Sequence, residues 1–344
     1  MKKILCLLLA LCLLLAGCGG KSERNKLEKM ADELLASDIY ENWMWVAECE
    51  ESTAEMLEDC AEKCASINGS DPEEARRWAI RIAASLCNHP NADSKVAKEL
   101  MKSSLYDIWK IIAASECNTE KTLVKLAKKC ARINAETCAN SDDDDLISKD
   151  ACEIAKALLL NPEATDDVAE ALMDSEYHAV WVLVASANCN TEKTLVKLAK
   201  KCARTICNGD LDGNEMCKVA KALLLNYKAT DDVAEALIDS DYFAVCELVA
   251  SADCNTERTL AKLAKKCATI TDDNTVLSES DVTSGKGADD WAFIIAETIV
   301  NNSKATENVY IELLGSCYPE VREVAFEQLG YTVPTESATA LEEP

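Results

Sequence analysis

Glycine and proline, which most often interrupt helices, are scarce in this sequence: there are 10 glycines and 6 prolines among 344 residues. Aromatic residues make up only 5% of the chain, whereas 49% of it is hydrophobic. That apolar content is sufficient for a large buried core and argues against a disordered chain. A sequence so poor in turn residues and so rich in Ala, Leu, Lys and Glu predicts an all-α fold.

Basic residues and histidine are also under-represented, which argues against several functions. The 36 basic side chains are outnumbered by 61 acidic ones, for a formal charge of −25, whereas nucleic acids are bound mainly through Lys and Arg. The two histidines, His89 and His178, leave little material for zinc sites or for a mechanism with several histidine bases. The sequence contains neither G-x-G-x-x-G nor G-x-x-x-x-G-K-[ST], the phosphate-binding loops. We therefore expect a protein that is not an enzyme, has no cofactor and does not bind nucleic acid.

The first twenty residues have the layout of an export signal. Lys2 and Lys3 precede an apolar run of thirteen residues, Ile4 to Ala16, which is too short to span a bilayer. The segment Leu15-Ala16-Gly17-Cys18 resembles the lipobox of bacterial lipoproteins. This resemblance implies cleavage before Cys18, attachment of a lipid such as palmitate to Cys18, and a location in the bacterial cell envelope, outside the cytoplasm. An uncleaved or conventionally cleaved signal is the alternative.

Two sequence blocks recur along the rest of the chain. The block from Cys117 to Cys130 recurs almost unchanged from Cys189 to Cys202 and, with changes, from Cys254 to Cys267. The block from Ala164 to Leu172 recurs from Ala229 to Leu237. In each, a residue that can cap a helix precedes a short amphipathic stretch. The capping residues are Thr53, Asp93, Thr119, Thr165, Thr191, Thr230, Thr256 and Thr306.

The spacing of these capping residues defines a repeat. The steps from 93 to 119, 165 to 191 and 230 to 256 are 26 residues long, and the others are 40, 46, 39 and 50. We infer about eight units of about 26 residues, with an acidic loop inserted in every second unit. One helix pair cannot bury its apolar face alone, whereas stacked pairs share a continuous core. The sequence therefore predicts a right-handed α-α superhelix, or α-solenoid.

Two motifs resemble the leucine-rich repeat variant family and, more loosely, the HEAT-like helical repeats. They are Leu160-Asn161-Pro162-Glu163-Ala164-Thr165, followed by Leu172, and Tyr318-Pro319-Glu320-Val321-Arg322-Glu323-Val324-Ala325. These are similar to the family's Asn-Pro turn and Pro-x-Val-Arg helix. The chain departs from the family in its alternating insertions, and it lacks the cysteine cluster that binds an iron–sulfur cluster in the founding pattern. The resemblance implies a solenoid and, for most such solenoids, protein or peptide binding.

Four segments are expected. They are a signal peptide over residues 1–17, a lipidated tether over 18–26, the helical-repeat solenoid over 27–332 and a disordered tail over 333–344. The repeats are expected to stop at 332 because Val333 and Pro334 follow and no apolar pattern resumes.

The inserted segments are polar and acidic, at residues 68–74, 140–145, 208–215 and 271–290. They arise at the same point of the repeat and are expected to project from one edge. Segments such as Asp71-Pro72-Glu73-Glu74 are also good helix starts, so solvated caps are the simpler interpretation. The alternative is a Ca²⁺ site formed by Asp210, Asp212, Asn214 and Glu215, whose oxygen ligands suit a hard cation. That segment fails the EF-hand pattern, because Glu215 stands where the pattern requires glycine.

The 19 cysteines divide by position in the repeat. Cysteines at equivalent positions lie two units apart, roughly 20 Å, which is too far for a disulfide. Their expected role is that of small buried hydrophobic residues. Cysteines flank two of the insertions, which predicts the loop-closing disulfides Cys138–Cys152 and Cys207–Cys217. The competing pairing is Cys130–Cys152 with Cys202–Cys217, and free thiols are a third reading.

Together these features predict a membrane-anchored lipoprotein that acts as a non-enzymatic scaffold for a protein or peptide. Its charge favours a basic or cation-bridged partner. The alternatives are a Ca²⁺-stabilised structural surface protein and a glycan- or peptide-processing enzyme.

The lipobox predicts that Cys18→Ser abolishes lipidation, because serine has no thiol to form the thioether. In a bacterial host given labelled palmitate, the parent chain should become labelled and the variant should not. Cys49→Ser, a substitution of a cysteine outside the lipobox, serves as the control and should retain the label. Equal labelling of the parent chain and Cys18→Ser would refute the lipobox assignment.

Overall fold

The structure, a computed structural model, describes residues 21–67, 71–133, 144–205, 210–271 and 286–331. Every regular element in these ranges is an α-helix. The expected signal peptide, Cys18 and the expected tail over 333–344 lie outside the described residues, as do Cys138 and Cys207. None of the described helices combines the length and the apolar composition needed to cross a membrane.

The described helices are numbered here in chain order. They are α1 (Lys21–Leu35), α2 (Tyr40–Glu48), α3 (Ala54–Ala65), α4 (Pro72–Asn88), α5 (Ser94–Leu100), α6 (Tyr106–Ala114), α7 (Glu120–Cys130), α8 (Asp144–Leu160), α9 (Asp166–Leu172), α10 (His178–Ser186), α11 (Glu192–Arg204), α12 (Asp210–Leu225), α13 (Asp231–Leu237), α14 (Phe243–Ser251), α15 (Glu257–Ala268), α16 (Ala288–Asn301), α17 (Glu307–Leu313) and α18 (Pro319–Gln328). Each of the eight predicted capping residues immediately precedes a helix. Thr53, Asp93 and Thr191 cap theirs through the side chain, whereas Thr230, Thr256 and Thr306 make no side-chain cap.

The chain divides into two compact units. The first extends to Leu126 and includes Asn161–Glu163, and the second comprises Ala127–Leu160 and the chain from Ala164 onward. Within each unit, neighbouring helices pack in sequence order, odd-numbered on odd-numbered and even-numbered on even-numbered. In the second unit α9, α11, α13, α15 and α17 form one layer, and α8, α10, α12, α14, α16 and α18 form the other. The core lies between the two layers, where the apolar side chains of both are buried.

Long and short helix pairs alternate along the second unit. The odd-numbered helices α11 and α15 have 13 and 12 residues, whereas α9, α13 and α17 have 7 each. The even-numbered helices α8, α12 and α16 have 17, 16 and 14 residues, whereas α10, α14 and α18 have 9, 9 and 10. The extra residues of every second pair therefore lengthen its helices.

This corrects the expectation of acidic loops. Four stretches expected in loops lie inside helices α4, α8, α12 and α16: residues 72–74, 144–145, 210–215 and 288–290. At α4 the reason is visible: the Asp71 carboxylate accepts hydrogen bonds from the backbone N–H groups of Glu73 (3.0 Å) and Glu74 (3.1 Å), and Pro72 occupies the first helical position. Residues 21–26 of the expected tether are likewise helical, as part of α1.

Asparagines that follow three long helices donate hydrogen bonds to carbonyl groups at the ends of short helices. Asn161, Asn226 and Asn302 follow the long helices α8, α12 and α16. Asn226 Nδ2 donates to the carbonyl oxygens of Ala185 (2.8 Å) and Ala187 (3.4 Å) at the end of α10. Asn302 does the same at the end of α14, and Asn161 at the end of α6. We call these three residues the bracket asparagines; they satisfy carbonyl groups that have no partner within their own helix.

Asn226→Ala should destabilise the protein by about 1–3 kcal/mol, because the carbonyls of Ala185 and Ala187 lose their partner away from water. The neighbouring substitution Leu225→Ala is the control, since Leu225 is 74% exposed, and it should change stability by less than about 0.5 kcal/mol. Urea denaturation of both variants measures the difference. Equal effects of the two substitutions would contradict the bracketing role.

Candidate functional site

A groove runs along α13 on the odd-numbered layer of the second unit, and it follows from the alternation of helix lengths. Seven helical residues extend about 10 Å, whereas the 12 and 13 residues of the flanking helices extend about 18–20 Å. The flanking helices α11 and α15 therefore project beyond the short helix between them. The groove has a volume of about 730 Å³.

The floor of the groove is apolar and its walls are charged. Val196 of α11, Ala236 of α13 and Ile238 form the apolar part. The charged and polar lining residues are Lys200, Asp232, Glu235, Asp239, Lys262, Lys265, Lys266 and Thr269. Most of the lining is therefore charged, and the apolar part is small.

Some of these charges hold the groove together. Glu235 of α13 pairs with Lys262 and, at 3.0 Å, with Arg258, both from α15. Lys266 Nζ donates to the carbonyl oxygens of Ile238 (2.5 Å) and Ser240 (2.6 Å), just beyond the end of α13. A cation is favourable there because unpaired carbonyls make a helix C-terminus negative.

The equivalent lysine one long pair earlier has the same role. Lys201 of α11 donates to the carbonyl oxygen of Met173, beyond α9, and its Nζ lies 4.7 Å from the centre of the Trp181 ring. Burial lowers the pKa of Lys201. These lysines are therefore part of the packing between helices.

Other charges in the groove have no such role. Lys200 and Lys265 are exposed on the walls, and Asp232 and Asp239 are exposed beside the floor. None of the four makes an ion pair or a side-chain hydrogen bond with the part of the chain that the structure describes. They remain free to bind groups of another molecule.

One end of the groove is fixed by an aspartate. Asp231, the first residue of α13, accepts hydrogen bonds from the backbone N–H of Thr256 (2.8 Å) and from the buried hydroxyl of Thr259, both from the start of α15. Asp166 of α9 does the same with Thr191 and Thr194 at the start of α11. Burial alone would raise the pKa of Asp231, but the hydrogen bonds from Thr259 and Thr256 outweigh it and lower that pKa. The carboxylate thus ties adjacent odd-numbered helices together.

A second groove, of about 520 Å³, lies on the even-numbered layer beside the end of α12. Exposed Leu225 and Tyr227 line it together with Lys218 and Lys221. It is more apolar than the groove along α13.

The predicted cysteines are only partly described. Cys152 and Cys217 are half-buried on α8 and α12, but their expected partners, Cys138 and Cys207, lie outside the described ranges, so those disulfides stay predictions. The competing pairing is wrong, because neither Cys130–Cys152 nor Cys202–Cys217 is bonded. Cys130 Sγ lies 3.5 Å from the carbonyl oxygen of Ala151. Cys202 Sγ lies 3.7 Å from the carbonyl oxygen of Met216.

The alternative Ca²⁺ ligands belong to helix α12. Of the alternative Ca²⁺ ligands, Asp210 and Asp212 lie in the first turn of α12, Asn214 is exposed, and Glu215 pairs with Lys218. Within the described ranges, no group of three or more His, Cys, Asp and Glu side chains is placed to hold a metal ion.

Neither histidine lines either of these two grooves. His89 Nε2 lies 2.9 Å from the carbonyl oxygen of Cys49, and His89 Nδ1 accepts the N–H of Asn91. His89 therefore has the place of a bracket asparagine, at the end of α4. The ring of His178 packs edge-on against Trp181.

The groove along α13 was missed in the sequence, although a signal for it exists. Helix α11 carries five basic residues and one acidic residue, and α15 carries four basic residues and one acidic residue. Helix α13, which lies between them, carries three acidic residues and no basic one. This alternation predicts ion pairing between neighbouring helices once their order is known. No protein-family model matches the chain, and no curated protein matches it.

Asp231→Asn should destabilise the protein at neutral pH and much less in acid. Because the folded-state pKa of Asp231 is lowered, its stabilising effect is present above the unfolded value of about 3.9 and is lost as the pH falls through the folded-state pKa. Asp232→Asn, which removes an exposed neighbouring charge, is the control and should leave the pH dependence as in the parent chain. Thermal melts between about pH 3 and 7 measure both; a stability deficit of Asp231→Asn that is constant over that range would contradict the role of the carboxylate.

Proposed function

We propose that this chain is a membrane-anchored extracytoplasmic lipoprotein of the bacterial envelope, and that it acts as a non-enzymatic scaffold for binding a protein or peptide. The observation that carries the binding role is the groove along α13. Around its apolar floor lie four charges that pair with nothing in the described part of the chain: Lys200, Lys265, Asp232 and Asp239. The anchoring role rests on the lipobox-like segment that ends in Cys18.

We further infer that each of the two compact units is a stretch of right-handed α-solenoid, built from sequence repeats of about 26 residues. Two observations support this. Helices pack in sequence order in two layers, and equivalent hydrogen bonds recur at equivalent positions, as the bracket asparagines do. Such solenoids commonly bind polypeptides along a face made of successive helices.

The partner expected from this groove is a polypeptide with a net positive charge that presents an apolar side chain beside an acidic one. The net positive charge follows from the formal charge of −25, which attracts cationic proteins over long range. The apolar side chain would lie on Val196, Ala236 and Ile238, and the acidic one would pair with Lys200 or Lys265. Asp232 and Asp239 would take basic groups at either end of α13.

The alternative functions have less support. A Ca²⁺-stabilised structural protein requires ligands from residues 210–215, whose backbone is helical and whose Glu215 is paired with Lys218. A glycan- or peptide-processing enzyme requires a convergent catalytic pocket, whereas the groove along α13 is lined by no His, Cys or Ser.

Reversing the charges of two lysines on the walls of the groove should weaken binding. Peptides are first selected from a random displayed library on the purified full chain, and their affinities are then measured by fluorescence polarisation. The double variant Lys200→Glu/Lys265→Glu should bind them at least about tenfold more weakly, since two lost surface ion pairs of up to about 1 kcal/mol each are replaced by repulsion. The selected peptides should combine apolar and acidic residues.

The control is Lys121→Glu/Lys125→Glu, which makes the same charge change at exposed positions of α7 that do not line the groove. It should retain the affinity of the parent chain within about twofold, because long-range effects of net charge are screened by salt. Equal binding by all three proteins, or no selection of peptides, would refute the groove as the binding site. A rise in melting temperature at millimolar Ca²⁺ would instead favour the structural alternative.

A further inference from the structure

Two cysteines of the first unit lie side by side although 30 positions separate them in the sequence. Cys87 is buried at the end of α4, and Cys117 is half-buried in the turn between α6 and α7. The Ser115 hydroxyl touches both residues, since its Oγ contacts the Cys87 carbonyl oxygen and Cys117 Sγ. The two cysteines are therefore neighbours where α4 packs on α6, and the pKa of each thiol is shifted by the other.

Ser115 holds this arrangement in place. Its Oγ lies 2.9 Å from the carbonyl oxygen of Cys87 and 3.1 Å from Cys117 Sγ, and it accepts the backbone N–H of Cys117 at 3.2 Å. The Ser115 carbonyl oxygen in turn accepts hydrogen bonds from Asn118 (3.0 Å) and Asn161 (2.9 Å). Because Ser115 and both asparagines are buried, the turn that carries Cys117 is fixed against the end of α4.

The same turn occurs twice more without a second thiol. Cys189 and Cys254 occupy the position of Cys117, but the position of Cys87 is taken by Leu159 in one case and Leu224 in the other. Alanine (Ala187 and Ala252) also replaces Ser115 in these two turns, so they are controls that lack both the Cys87 thiol and the Ser115 hydroxyl. The pairing is thus a feature of the Cys117 turn and not of the repeat.

The environment distinguishes the two sulfurs of the pair. Hydrogen bonds from the Cys87 thiol, the Ser115 hydroxyl and the backbone lower the pKa of Cys117 to about 7, against the effect of burial. The pKa of Cys87 is raised, because its proton is held in that hydrogen bond and because it is buried. Burial raises the pKa of Cys189 and of Cys254. Cys117 is the thiol that ionises and is reached from solvent.

We propose that Cys87 and Cys117 form a thiol–disulfide exchange site, in which Cys117 attacks an organic disulfide and Cys87 resolves the product. The Cys117 thiolate attacks one sulfur of R–S–S–R, forming Cys117–S–S–R and releasing RS⁻, which takes up the proton lost by Cys117. The Cys87 thiol then loses its proton to solvent, and its sulfur attacks Cys117 Sγ. This forms the Cys87–Cys117 disulfide and releases the second RS⁻, which becomes RSH. Two protein thiols are oxidised and one organic disulfide is reduced to two thiols.

The disulfide would join α4 to the turn between α6 and α7, that is, one long pair to the short pair that follows it. The site lies in the first unit and the groove along α13 in the second, so the two proposals stand or fall separately.

The test is peptide mapping of the purified full chain after reduction, removal of the reductant and exposure to oxidised glutathione. After blocking of the remaining thiols and trypsin digestion, Cys87 lies in the peptide spanning residues 82–95 and Cys117 in the peptide spanning 111–121. Mass spectrometry should find these two peptides linked to each other. If Cys117 is instead recovered as a thiol or with glutathione attached while Cys87 is a thiol, the proposal is wrong.

Two variants separate attack from resolution. Cys87→Ser keeps a hydrogen-bond donor but cannot form the disulfide, so glutathione should accumulate on the peptide spanning 111–121. Cys87→Ala removes the donor and should slow the reaction of Cys117 with iodoacetamide at pH 7. In the parent chain Cys117 should react about fivefold faster than Cys189 and Cys254, since its larger thiolate fraction outweighs the lower nucleophilicity of a more acidic thiol. Equal rates at the three cysteines would overturn the role of Cys117.

Discussion

The ends of the short helices leave backbone carbonyl groups without partners, and much of this structure depends on how those groups are satisfied. At the end of α10 the partner is Asn226, which comes from the next long even-numbered helix, and at the end of α13 it is Lys266, which comes from the next long odd-numbered helix. Each short pair is therefore completed by groups of the long pair that follows it. Stacking is thus required by hydrogen bonding as well as by burial of apolar surface, because neither a buried carbonyl nor an apolar face is stable alone.

Local features of the fold could be predicted from the sequence. Helix starts follow from the capping residues, since a residue such as Thr191 before an amphipathic stretch is a local signal that needs no knowledge of neighbours. The secondary structure of the acidic insertions is harder to predict, because Asp-rich segments such as 71–74 are typical both of loops and of first helical turns. The structure resolves this ambiguity in favour of helix for residues 72–74, 144–145, 210–215 and 288–290.

The candidate sites depend on contacts between neighbouring helix pairs. The spacing of the capping residues in the sequence does not specify these contacts. Pairing of Glu235 with Lys262 requires that α13 and α15 be neighbours in the correct register, and only then are Lys200 and Lys265 recognisable as the charges left over. The neighbouring sulfurs of Cys87 and Cys117 are a stronger case. Comparison of equivalent positions finds no partner for Cys117, because the other two turns have leucine where Cys87 stands. Irregular pairs of this kind become visible only in three dimensions.

The alternating charge of the odd-numbered helices limits how such a chain can lengthen. In the second unit an acidic helix is followed by a basic one from α9 to α17. Insertion of a single helix pair would place two helices of like charge against each other, whereas insertion of a long pair together with a short pair preserves every opposite-charge contact. The unit of growth by duplication is therefore two pairs, and each duplication would add one more groove of the kind that lies along α13.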